Sequence, residues 1–143
     1  MNRRFEEVDH TADIAIHVWG RDLAELFANG AYGMACHMAD SNAVNQEDFG
    51  ELSRAVEHLI ELEAYDAETL LVSWLGELLY VSERDGCVFT DFDVLEVTPT
   101  RLRAVVRGGP VRERRQHIKA ATFSDLKIVR TGEGYEATIV FDV

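Results

Sequence analysis

The chain reads as an α/β (α+β) two-layer domain, with two helices packed on a largely antiparallel sheet. Three observations predict this. The periodicity alternates between two and three to four residues in the order strand, helix, strand, helix. Each predicted helix opens on an aspartate that can cap it. Everything after Gly86 is rich in β-branched and aromatic residues and is cut by turn signals at Thr98-Pro99-Thr100, Gly108-Gly109-Pro110 and Gly132-Glu133-Gly134. Helices that follow strands in this way pack on a sheet in two layers.

Residues 13–19 set Ile14, Ile16 and Val18 on one face and Ala15, His17 and Trp19 on the other, which is strand periodicity ended by Gly20. Asp22 then opens a helix, with Glu25 three residues on in capping-box spacing. Its apolar stripe is Leu23, Leu26, Phe27, Ala31, Met34, Ala35 and Met38. Residues 40–50 turn polar and read as a loop. Alternation returns at Val56, His58, Ile60, Leu62 and Ala64, with Glu57, Glu61 and Glu63 opposite, a strand with one acidic face. Asp66 caps a second helix striped by Leu70, Leu71, Trp74, Leu75, Leu78 and Leu79, and Asp85-Gly86 stops it. Strands are expected over residues 87–97, 101–107, 117–123, 126–130 and 135–143.

A length of 143 residues fits one domain, 1–143, and neither of the two prolines, Pro99 and Pro110, marks a linker. Basic residues near the N-terminus are not followed by an apolar segment, and no apolar run approaches the roughly 20 residues that span a bilayer. No membrane partner and a cytoplasmic setting are the expectations. Cys36 and Cys87 stand far apart in no metal-ligand spacing and read as buried thiols. The net charge of −12 repels a phosphate backbone, so strong direct nucleic-acid binding is not expected. Arg101, Arg103, Arg107, Arg112, Arg114, Arg115 and Lys119 concentrate basic charge in the later third. That stretch reads either as a contact for an acidic partner or a nucleotide, or as a charged, solvated hairpin edge.

Asp9, His10 and Asp13, with His17 just beyond, gather before and in the first predicted strand. Turn chemistry explains them, and so does a hard-metal site completed by oxygen donors from elsewhere. Asp142 and the Val143 terminal carboxylate are suggestive additions, because oxygen donors suit calcium or magnesium and not zinc. His37 and Asp40 have a spacing too common to specify catalysis. His58 alternates with apolar residues and reads as a core histidine, and Gly108-Gly109-Pro110 as a hairpin turn. Lys119 lies in an apolar strand, either as a surface lysine or as a contact for an anion or acidic partner. No nucleophile elbow, P-loop or dinucleotide glycine fingerprint is present.

Five ordered motifs resemble the archease family along nearly the whole chain. They are Asp9-His10-Thr11-Ala12-Asp13, then Glu25-Leu26-Phe27, then Leu70 to Tyr80 as LLVSWLGELLY. Ile118-Lys119-Ala120-Ala121-Thr122 with Asp125-Leu126-Lys127-Ile128 follows, and Phe141-Asp142-Val143 closes the chain. Phe123-Ser124 stands where the family usually has Tyr-His, Ala15 where glycine is frequent, and Gly76 where asparagine is common. The resemblance implies duplicated strand-helix-strand-strand modules in one domain. It also implies an accessory protein, not an enzyme, that promotes guanylylation and multiple turnover of an RtcB-type RNA ligase in tRNA splicing. By this resemblance Asp13, Asp142 and Val143 match the positions that bind a divalent, calcium-type metal, and Lys119 matches a lysine implicated in function. A metal-dependent small-molecule enzyme and a general chaperone or interaction module are the alternatives weighed beside it.

Overall fold

The computed structural model describes residues 4–8, 14–39, 56–110, 117–124 and 126–143. Along the chain run β1 (Phe5–Val8), β2 (Ile14–Gly20), α1 (Leu23–Met38), β3 (Val56–Glu63), α2 (Ala67–Asp85), β4 (Cys87–Val97), β5 (Arg101–Pro110), β6 (Ala120–Thr122), β7 (Val129–Thr131) and β8 (Gly134–Asp142). The α+β class is as expected. The expected sheet is divided in two, and among the described residues every pairing is antiparallel. The larger sheet has the order β1-β2-β8-β6, with β7 also on β8, and the smaller has the order β3-β5-β4. Residues 56–110 therefore form one strand-helix-strand-strand unit closing on its own sheet. The larger sheet is assembled from the two ends of the chain around it. Both helices contact both sheets, α1 through β2 and β4, α2 through β6 and β4.

Local chemistry explains where the helices begin and end. The Asp22 carboxylate accepts the Glu25 N–H at 2.8 Å, satisfying a donor that the first turn cannot. Glu25 does not complete the expected capping box on Asp22. Its carboxylate accepts the backbone N–H of Arg21 at 3.1 Å and two guanidinium N–H groups at 3.0 and 2.8 Å. Those hydrogen bonds from Arg21 hold the Glu25 carboxyl below its ordinary range. Asp66 caps α2 by accepting the Thr69 N–H at 2.7 Å, and Gly86 ends it in the left-handed region at φ 63°.

The stripes read from the sequence become the core. Leu26, Phe27, Ala31, Met34, Ala35 and Met38 of α1 meet Leu70, Leu71, Trp74, Leu75 and Leu78 of α2 in one buried cluster with Ile16, Val18, Ile139 and Phe141. Trp74 is wholly buried, donates its indole N–H to the Phe27 carbonyl at 3.0 Å, and sets its ring edgewise to Phe92 at 6.1 Å. It thus joins both helices to β4. On the opposite side of α2, Gly76 is exposed, and a methyl group there would meet nothing within 4 Å. Gly76→Ala is expected to stabilise the fold by about 0.5–1 kcal/mol by restricting the unfolded chain. A thermal melt that moves upward checks it; an unchanged or lower melt rejects it.

Three expectations need correction. Gly108-Gly109-Pro110 is not a hairpin turn: it is the end of β5, paired with Phe89, Val88 and Cys87. Gly108 is needed there because β4 runs so close that a Cβ would strike the Val88 carbonyl and lie 2.7 Å from the Phe89 Cα. His58 is not a core histidine. It is partly exposed, its Nε2 lies 2.9 Å from an Asp85 carboxylate oxygen, and it ties β3 to the end of α2. The Asp85 carboxyl is held below its usual range by hydrogen bonding from Arg84, with His58 adding to it. The late strands are also shorter than expected, Ala120–Thr122 and Val129–Thr131, and β1 was not foreseen.

Candidate functional site

The closing segment of β8 lies between two others. Ile14 of β2 pairs with Phe141 on one side, and Ala120 of β6 pairs with Asp142 on the other. The backbone N–H of Lys119 donates to the Asp142 carbonyl at 2.8 Å. Lys119 and Asp142 are therefore strand neighbours although 23 positions separate them in the sequence. Both side chains are exposed, while Val143 is half-buried and packs on the core edge. Lys119 and Asp142 thus lie together at one end of the larger sheet. Asp13 lies outside the described residues, as do Asp9, His10 and Asp40; covalently, Asp13 precedes Ile14, the residue that pairs with Phe141. Among the described residues alone, no three His, Cys, Asp or Glu side chains group as a metal site. The Asp142 carboxylate has the hard-oxygen chemistry that calcium or magnesium takes.

The other candidates have local uses. His17 shares a 2.7 Å hydrogen bond through Nδ1 with the Thr138 hydroxyl and places Nε2 3.5 Å from Glu136 across the strand pair. His37 is buried with its ring near Phe5. Cys36 is half-buried and Cys87 buried, and both are thiols.

The basic stretch divides. Arg101, Arg103 and Arg107 of β5 stand opposite Glu63, Glu61 and Glu57 of β3, at 3.7, 3.9 and 3.6 Å, and Arg107 also reaches Asp91 of β4 at 3.3 Å. The acidic face of one strand and the basic face of its neighbour are a single cross-strand lattice. Exposed pairs of this kind contribute about 0–1 kcal/mol each, but they leave those arginines without surplus charge for a phosphate backbone. Arg112, Arg114 and Arg115 lie outside the described residues. With a net charge of −12 besides, single-stranded oligouridylate is expected to show no saturable anisotropy change at low micromolar protein in physiological salt. Tight binding with a steep salt slope would overturn this.

Sequence reasoning missed a second concentration of polar groups, around Arg4 and Asn29. Its parts come from β1, α1 and β2, and β1 is too short to signal itself. No described helix is long and apolar enough to cross a membrane.

Comparison with known proteins agrees with these features. The family model of the archease protein family matches residues 5–143. A protein archease of Saccharolobus islandicus is 35% identical over 99% of this chain and 99% of its own. One of Methanosarcina barkeri is 32% identical over 99% of this chain and 97% of its own. The solution structure of Methanobacterium thermoautotrophicum protein 1598 superposes with a TM-score of 0.74 at 28% identity, covering 97% of this chain and 98% of that one. A Thermotoga maritima archease, described as a possible chaperone, shares the fold with a TM-score of 0.64 at 19% identity over the full length of both. Matched along residues 5–143 and aligned end to end with these relatives, the chain belongs to the archease family.

Proposed function

We propose that this archease is a cytoplasmic accessory protein of an RtcB-type RNA ligase in tRNA splicing, and that it promotes guanylylation of the ligase and so its repeated turnover. The observation that supports the reading is the adjacency of Lys119 to Asp142 and Val143, made by the Lys119 N–H to Asp142 carbonyl hydrogen bond. Guanylyl transfer develops charge on phosphate oxygens and requires the reacting groups to be aligned. An exposed ammonium tethered by its backbone just before β6 supplies positive charge without large reorganisation. Asp13, Asp142 and the terminal carboxylate of Val143 would hold the divalent cation, calcium or magnesium. Bound there, the cation would draw the carboxylates into one rigid unit. The chain itself makes and breaks no bond in this account; it presents a fixed surface to the ligase.

The direct test is single-turnover formation of ligase-guanylate with and without this protein. A faster and more complete reaction is expected, and an unchanged time course would sink the reading. The metal assignment has its own test. Calorimetry should show calcium binding that Asp13→Ala abolishes and that a C-terminal extension weakens by moving the terminal carboxylate. Equal binding by wild type and Asp13→Ala would remove these residues from the site.

A further inference from the structure

A cleft of about 1120 Å³ opens at the far end of the β2–β8 pair from Lys119 and Asp142. One wall is Arg4 and the first turns of α1; another is Phe92 and Val94 of β4; Trp19 and the β7–β8 turn with Glu133 complete it. Its floor is rigid because backbones touch there: a Cβ on Gly134, whose φ is 142°, would strike the Gly20 carbonyl and lie 2.7 Å from the Arg21 Cα. Gly20 and Ile14 are six residues apart on β2, so the cleft and the lysine end are separated by roughly 20 Å.

Arg4 is the unusual group in it. Its guanidinium carbon lies 3.8 Å above the Tyr32 ring, and its Nε–H donates to Asn29 at 2.9 Å. Asn29 is buried and is oriented in turn by donating to the Trp19 carbonyl at 2.7 Å. Ring and amide thus hold the guanidinium in one pose, and burial weakens its hold on its proton. Among the described residues the carboxylate that acts on its charge is Glu25, which is itself closed on Arg21. The other lining arginine, Arg21, is already closed on Glu25. The rim is acidic, with Glu133 and Glu136 facing the same space. A polyanion is therefore disfavoured, whereas a single carboxylate flanked by cations fits.

The bordering strand points to the form of the ligand. β4 is an edge of the smaller sheet and, among the described residues, pairs only with β5. Phe92 and Val94, alternate residues on one face of β4, line the cleft and give an extended chain an apolar wall to lie along. We infer that this cleft is a docking groove for an extended segment of a partner protein, carrying one acidic side chain for Arg4 between basic residues that meet Glu133 and Glu136. The inference does not depend on the ligase reading.

The probe is a set of fluorescein-labelled pentapeptide amides, Lys-X-Asp-X-Lys with X as Val, Ile, Leu, Thr or Phe, each paired with its Asp-to-Asn analogue. Anisotropy with the full chain is expected to show saturable binding by at least one Asp peptide and about tenfold weaker binding by its Asn analogue. Arg4→Gln should erase that difference, and Glu133→Gln with Glu136→Gln should weaken the Asp peptide and flatten its salt dependence. No saturable binding by any peptide to 1 mM, on the order of the weakest useful affinity, would overturn the groove. Equal affinities for Asp and Asn peptides would do the same. So would displacement by millimolar inorganic phosphate that is lost in Arg4→Gln, which would make this a small-anion site. Should Arg4→Gln melt poorly, the Asp-to-Asn comparison on wild type still decides.

Discussion

Trp74→Ala is expected to lower the unfolding free energy by about 3–5 kcal/mol, a large part of the roughly 5–15 kcal/mol that a domain has. Two effects add. The indole is wholly buried between α1, α2 and β4, so its removal leaves a cavity that rigid neighbours such as Phe27 and Phe92 cannot fill. Its N–H is also a second donor to the Phe27 carbonyl, which keeps its helical partner within α1, so losing it costs only the net worth of a hydrogen bond, about 0.5–1.5 kcal/mol. Trp74→Phe separates the two effects, because it keeps most of the volume and loses the donor; it should cost less than the alanine variant. Urea unfolding of all three proteins measures this. A loss below about 1 kcal/mol for Trp74→Ala would mean that the helices are joined by other contacts.

Trp74 also illustrates how much was legible beforehand. Its burial followed from helical spacing, and so did both helix starts, because the Asp22 and Asp66 caps act within three residues. Chemistry of that range can be read from a string. The failures arose where a distant strand supplied the reason. Gly108-Gly109-Pro110 has turn composition, yet it lies in β5 because β4 approaches too closely for a side chain. His58 alternates with apolar residues, but Asp85 at the end of α2 draws it out of the core. The acidic face of β3 and the basic residues of β5 were each visible, while their pairing depended on register. At the candidate site, Lys119 and Asp142 were singled out separately, and only β6–β8 pairing makes them neighbours. Nothing local marked Arg4, whose setting is made by Tyr32, Asn29 and β4.

Lys119→Ala should slow ligase guanylylation by about 10–100-fold relative to wild-type archease, the rate equivalent of losing one charged hydrogen bond of about 1.5–3 kcal/mol. The substitution suits the question because it removes the ammonium and little else. The side chain is exposed, so the expected change in stability is within about 0.5 kcal/mol. The contact that places it is made by the backbone N–H, which alanine retains, so the Lys119–Asp142 strand contact persists. Lys119→Arg refines the reading. A role as diffuse positive charge would tolerate the exchange, whereas a compact ammonium that donates to one oxygen would not, because the guanidinium is a wider, planar fork. Calcium binding serves as the second readout, since loss of the lysine should leave the carboxylate set intact. The decisive observation is a well-folded, calcium-binding Lys119→Ala that stimulates as fully as wild type. In that case the inserted charge plays no part, and stimulation must come from docking of the carboxylate end, which would make Asp142→Asn the more damaging change.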